Sequence, residues 1–173
     1  MKQAPRKVLS LVRVATTGQT KKTTDLAIQR QQEEIAMVCE DHNLEVAKDG
    51  AYLLAPMSGT AVLKSPEYQT MLKRLKEPGI AGVVVPTVDR LGRNLSDVAA
   101  VTDTIQAAGA KIFCDIGELD PSTSQGRNTM YMFIAVVSFQ RQKLGRRRNT
   151  SKKTLTFYDS NGKKHTIRRP ANG

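Results

Sequence analysis

The chain has 173 residues, 39% of them apolar and 25% charged, and a formal net charge of +11. That length holds one α/β domain with an appendage but not two ordinary domains, and the composition excludes a disordered chain. No apolar run approaches the ~20 residues of a membrane span, and the basic start runs into a stretch broken by Arg13, which argues against a signal peptide and for a cytoplasmic protein.

Lys7 to Val14 is rich in Val and Leu and reads as a buried first strand, followed by a polar loop from Ala15 to Thr23. Thr24 or Asp25 caps a helix to about Asp41, with Leu26, Ile35, Val38 and Cys39 facing inward. Leu44 to Ala47 is a short second strand, and Asp49 to Lys64 is irregular. Ser65-Pro66-Glu67 opens the next helix, because serine caps, proline suits the first helical position and glutamate favours the positive end. Gly79 closes it. Ala81 to Val85 is a continuous apolar run of the kind buried on both faces of a parallel sheet. Polar Asp89 to Arg93 follows. Asn94 or Ser96 caps a helix to about Ala108, Gly109 ends it, and Lys111 to Cys114 supplies a fourth strand before a polar loop, Asp115 to Gln125. The alternation predicts a three-layer α/β fold with a mostly parallel sheet of four strands or slightly more.

Arg127 to about Arg147 is the longest helix. Its apolar residues cover most of its circumference, more than one sheet face can hide. Either a second protomer covers Met130, Phe133, Ile134, Val137 and Phe139, giving a homodimer or homotetramer, or the helix is threaded through its own core. Beyond it, Asn161-Gly162 between Leu155–Tyr158 and His165–Ile167 signals a hairpin. The predicted regions are a core over 1–126, the long helix over 127–148 and a basic tail over 149–173.

The charge is unevenly placed. From Arg141 onward eleven Lys or Arg face one acid, Asp159, whereas the first 140 residues hold sixteen basic and fifteen acidic residues. A near-neutral body with a cationic end is the electrostatic footprint of a nucleic-acid binder. The candidate phosphate contacts are Arg141, Lys143, Arg146, Arg147, Arg148, Lys152, Lys153, Lys163, Lys164, Arg168 and Arg169; the plainer reading is a tail kept for solubility. Cys39 and Cys114 have no paired spacing and His42 and His165 add no ligand cluster, so free thiols and no metal site are expected. Neither a dinucleotide fingerprint nor a phosphate loop occurs, so no nucleotide cofactor is indicated.

Loops leaving the carboxyl ends of parallel strands converge on one edge. Arg13 ends the first strand, and Asp89-Arg90-Leu91-Gly92-Arg93 follows the third. Three guanidinium forks at one edge suit a phosphodiester, with Asp89 placed to hold one of them. Arg13-Val14-Ala15-Thr16 with Gln19 resembles the serine recombinase pattern Arg-Val-Ser-Thr followed by Gln, and Asp89-Arg90-Leu91-Gly92-Arg93-Asn94 is similar to that family's Asp-Arg-Leu-(Gly/Ser)-Arg-Asn. Leu26 with Gln29, Ser58-Gly59 and Ser65-Pro66-Glu67-Tyr68 fall in the right order between them.

The resemblance to this resolvase and invertase family implies metal-free attack of serine on a DNA phosphodiester, with Arg13, Arg90 and Arg93 on the phosphate, Gln19 and Asp89 in support, and strand exchange within a tetramer. The nucleophile's position is Ala15, and a methyl group cannot attack phosphorus. Ser65 stands where the family usually has arginine, Leu54-Ala55-Pro56-Met57 lacks the usual aspartate before Ser-Gly, and Ala81 or Gly82 replaces a frequent carboxylate. Ser10, Thr16 and Thr17 are poorly placed as substitutes. The leading expectation is a catalytically silent, DNA-binding family member that acts in or modulates recombination. The alternatives are an active recombinase, either one whose serine was replaced experimentally by alanine or one that uses another hydroxyl, or an assembly partner of an intact serine recombinase that hardly touches DNA.

Overall fold

β1 (Arg6–Arg13) forms because its side chains alternate between two apolar environments, and six of its eight residues are buried. The computed structural model describes residues 4–14, 21–54, 64–92, 94–150, 154–158 and 164–168; for 141–150 and the last two segments it describes the backbone. β1 lies inside a five-stranded sheet of order β2-β1-β3-β4-β5, with β2 (Leu44–Leu54), β3 (Ile80–Val84), β4 (Lys111–Cys114) and β5 (Gly117–Leu119). Every pairing is parallel except β4 with β5, which is antiparallel.

Two apolar clusters flank the sheet. On one face Val8, Val12, Val84 and Phe113 meet Ile35 and Val38 of α1 (Lys21–Asp41). On the other, Leu9, Leu11, Val83 and Ile112 meet α2 (Pro66–Arg74), α3 (Leu95–Ala107) and the first part of α4 (Ser124–Thr150), through Tyr68, Met71, Val98, Ile105, Met130 and Ile134. This is the expected three-layer α/β arrangement.

Several local expectations are corrected. β2 does not stop at Ala47: Val8 pairs with Val46 and Ser10 with Ala51, so β2 takes five steps where β1 takes two and then pairs on to Leu54. The bulge includes Asp49 at φ 54°, and Arg74 of α2 fixes it by donating to the main-chain oxygens of Asp49 (2.7 Å) and Lys48 (3.3 Å). α2 ends at Arg74 rather than near Gly79, whose φ of 87° belongs to the turn into β3. The loop expected after β4 contains β5, entered through Gly117 at φ 113°.

Leu26 is 56% exposed, not inward, because it sits roughly 200° around the helix from Ile28, on the line continued by Gln31, Ile35 and Val38. Met130 and Ile134, expected against a second protomer, are 0% and 2% exposed within the chain's own core. Phe133 packs partly against the same cluster, Val137 is half-buried, and Met132, Val136 and Phe139 are exposed.

The chain divides into two compact units, Met1–Ala135 and Val136–Gly173. In the second, β6 (Thr154–Tyr158) and β7 (Lys164–Arg168) pair antiparallel as the Asn-Gly signal predicts. Among the described residues, no helix is long and apolar enough to cross a membrane, and no group of three or more metal-ligating side chains occurs. Cys39 and Cys114 are free thiols, and burial pushes Cys114 up to about 11.

Candidate functional site

The carboxyl ends of β1 and β3 bring Arg13 and the Asp89–Arg90 turn together. Arg13 is only 5% exposed. Its main-chain N–H donates to Gln31 Oε1 at 3.2 Å, and Gln31 is itself oriented by donating from Nε2 to the Ala27 carbonyl at 3.1 Å. The guanidinium donates from Nη2 to the main-chain oxygen of Asp89. Arg13 thus ties the end of β1 to the turn after β3, a structural task beyond the phosphate contact expected of it.

The turn owes its shape to short-range bonds. Val88–Arg90 forms one turn of 3-10 helix, with Arg90 N–H on Thr87 O at 3.0 Å and Leu91 N–H on Val88 O at 3.0 Å. Asp89 is buried, and its carboxylate accepts from the Thr87 hydroxyl. The Nε of Arg90 is buried and makes no hydrogen bond to a described residue. Leu91 is fully buried, and its carbonyl accepts from Tyr68 Oη at 2.7 Å. Burial drives the Tyr68 phenol well above its usual range, so it stays a donor.

A side chain on Gly92 would bring Cβ within 2.8 Å of Asp97 and 2.9 Å of Val98, so the turn packs onto α3 only with glycine there. Asn94 then caps α3, its Oδ1 accepting from Asp97 N–H at 2.8 Å and its Nδ2 donating to Asp97 Oδ2 at 3.1 Å. Asp115 follows β4 at the same edge. Burial raises its pKa, and the negative charges of Asp89 and Glu34 add to the effect.

Of the six predicted catalytic positions, Arg13, Asp89 and Arg90 come together. Ala15, Gln19 and Arg93 lie outside the described residues, as do Ser58-Gly59 and the segment at Ala55. Gln29 bonds Glu33 on the surface at 3.0 Å. Ser65 is buried and caps α2, its Oγ accepting from Tyr68 N–H at 3.3 Å. At Gly82 a Cβ would lie 2.0 Å from the Lys111 carbonyl, which leaves no room for a carboxylate there. Among the tail cations, Arg141, Lys143, Arg146, Arg147 and Arg148 fall in α4, and Lys164 and Arg168 in β7. Lys152, Lys153, Lys163 and Arg169 lie outside the described residues.

Sequence reasoning missed Gln31 and the Tyr68 hydroxyl. The signal for Gln31 was a polar residue on the inward line it shares with Ile35 and Val38. For Tyr68 it was a phenol at a core position of α2, where a buried hydroxyl needs a partner.

The chain matches the family model described as Resolvase, N terminal domain, over residues 8–156. It is 28% identical to the Transposon Tn2501 resolvase of Escherichia coli over 85 residues, which span 49% of this chain and 43% of that resolvase. The chain therefore corresponds to less than half of that relative. The fold is similar to the crystal structure of the N-terminal catalytic domain of TP901-1 integrase, with a TM-score of 0.56 at 22% identity over 79% of this chain and 97% of that one. A resolvase family site-specific recombinase from Streptococcus pneumoniae is similar at a TM-score of 0.54 and 20% identity, over 83% of this chain and 92% of that one.

Proposed function

Because the chain belongs to the resolvase family, we propose that it binds duplex DNA and acts in, or modulates, site-specific recombination without cleaving DNA itself. Ala15 carries this reading. It occupies the position where the family pattern calls for serine, and without an oxygen there no phosphoseryl link starts. The surrounding departures support it: Ser65 is used as a helix cap where an arginine would be expected, and Gly82 has no space for a carboxylate. Phosphate binding at the turn is supported by Arg90, whose buried Nε has no acceptor among the described residues. The cations from Arg141 to Arg169 supply the main DNA affinity. The partner in assembly is a second copy, or an intact serine recombinase, met through α4, where Phe139 of the expected set is 60% exposed.

Supercoiled plasmid, scored for nicked or linear DNA covalently joined to protein, tests the silence. The chain is expected to leave it intact, and Ala15→Ser to restore at most feeble cleavage, because each missing charge-stabilising donor costs ~10²–10³ in rate. Robust cleavage by Ala15→Ser would overturn the reading of a silent member. Sedimentation in the micromolar range tests the assembly, where a monomer throughout would contradict self-association.

A further inference from the structure

The register of β6 and β7 divides the hairpin into two unlike faces. Thr154 pairs with Arg168, Thr156 with Thr166 and Tyr158 with Lys164, whereas Leu155 pairs with Ile167 and Phe157 with His165. Successive residues of a strand alternate between faces, and directly paired residues share one. One face therefore holds Thr154, Thr156, Tyr158, Lys164, Thr166 and Arg168, all cations or hydroxyl residues. The other holds Leu155, Phe157, His165 and Ile167.

Resting on the DNA-binding reading above, we propose that the hairpin is a DNA-contacting ribbon that meets the major groove with the face of Lys164 and Arg168. Both β7 cations within the paired region fall on this one face, so phosphate neutralisation by the ribbon is confined to it. Lys164 pairs beside the turn and Arg168 at the open end, ~13 Å apart at ~3.3 Å per residue, which gives each its own phosphate. The four hydroxyl residues between them suit phosphate oxygens and base edges alike.

Two strands ~4.8 Å apart fit a groove ~12 Å wide, and the B-DNA major groove admits such a ribbon. The major groove of A-form RNA is too deep and narrow to be read in that way, so the occupant is duplex DNA and not duplex RNA.

The test titrates the full chain with a labelled random-sequence DNA duplex at several salt concentrations. Lys164→Gln with Arg168→Gln should flatten the slope of log affinity against log salt by roughly 1.8 units, at about 0.9 per phosphate contact. Lys21→Gln with Lys22→Gln, on exposed positions of α1, should leave it unchanged. Because loss could follow from a melted hairpin, a gain is tested too. Thr156→Lys, on the basic face, should steepen the slope by roughly 0.9, and His165→Lys, on the opposite face, by less than half of that.

Equal effects at Thr156 and His165, no effect of the Lys164 and Arg168 pair, or equal affinity for a duplex RNA of the same sequence would each overturn the ribbon while leaving DNA binding by the rest of the chain standing. Absence of salt-dependent binding by the unmodified chain would overturn the DNA-binding reading itself, and the ribbon with it.

Discussion

The units Met1–Ala135 and Val136–Gly173 are built on opposite electrostatic terms. The first carries sixteen basic and fifteen acidic residues, the second eleven basic and one acidic. In the first, charges are matched to neighbours: Glu118 of β5 receives both Arg6 of β1, at 2.9 Å, and Lys111 of β4. Its polar interior side chains, Arg13, Gln31 and Tyr68, are held on main-chain partners. The second concentrates like charge at a density that repels itself, the pattern on which the DNA-binding proposal rests. Stability is a property to look for in the first unit, and ionic-strength dependence in the second.

The largest effect expected is on DNA affinity. Deleting residues 146–173 removes nine of the eleven cations from Arg141 onward. If about five of them meet phosphates, the salt slope should flatten by roughly 4–5 units. An unchanged slope would place DNA binding outside residues 146–173 and break the contrast as drawn.

Next is the core. Phe113, fully buried between α1 and the sheet, carries the Arg6 guanidinium 4.9 Å from its ring centroid. Phe113→Ala should cost ~3–5 kcal/mol in urea unfolding, and the salt slope of DNA binding, measured while the variant is still folded, should not change.

Tyr68→Phe sharpens the comparison inside the first unit. It removes the donor to the buried Leu91 carbonyl and should cost about 1–2 kcal/mol by the same unfolding measurement. Wild-type stability in that variant would show that the arginine turn keeps its shape without the Tyr68 hydroxyl.

The smallest effect is at Glu118. Burial disfavours its charge, but the hydrogen bonds and charges of Lys111 and Arg6 outweigh burial and hold its carboxyl below the usual glutamate range. A depressed folded pKa stabilises above the unfolded pKa, and that contribution is lost as pH falls through the folded value. Glu118→Gln should therefore cost ~0.2–1 kcal/mol at neutral pH, as partly exposed ion pairs do, and the difference should fade in acid. A difference that persists below the carboxylate range would point to packing instead of charge.

What the sequence alone determined about this protein is what short stretches of chain encode. Alternating or continuous apolar runs marked β1, β3 and β4, Ser65 and Asn94 marked helix starts through their own capping oxygens, and Asn161-Gly162 marked the hairpin. The charge asymmetry and the Arg13 and Asp89–Asn94 patterns were legible for the same reason, since each is a property of neighbours in sequence. Only the tertiary structure decided where distant residues meet. Arg13 and Asp89 are 76 positions apart, and Arg74 and Lys48 26 apart, so neither the clamp at the candidate site nor the bulge that prolongs β2 had a local signature. Likewise, the helical line that faces the sheet depends on what lies opposite. Packing against the sheet turned Leu26 outward and Gln31 inward, and drew Met130 and Ile134 into the core, because burial is settled by the partner surface and not by the residue's own hydrophobicity.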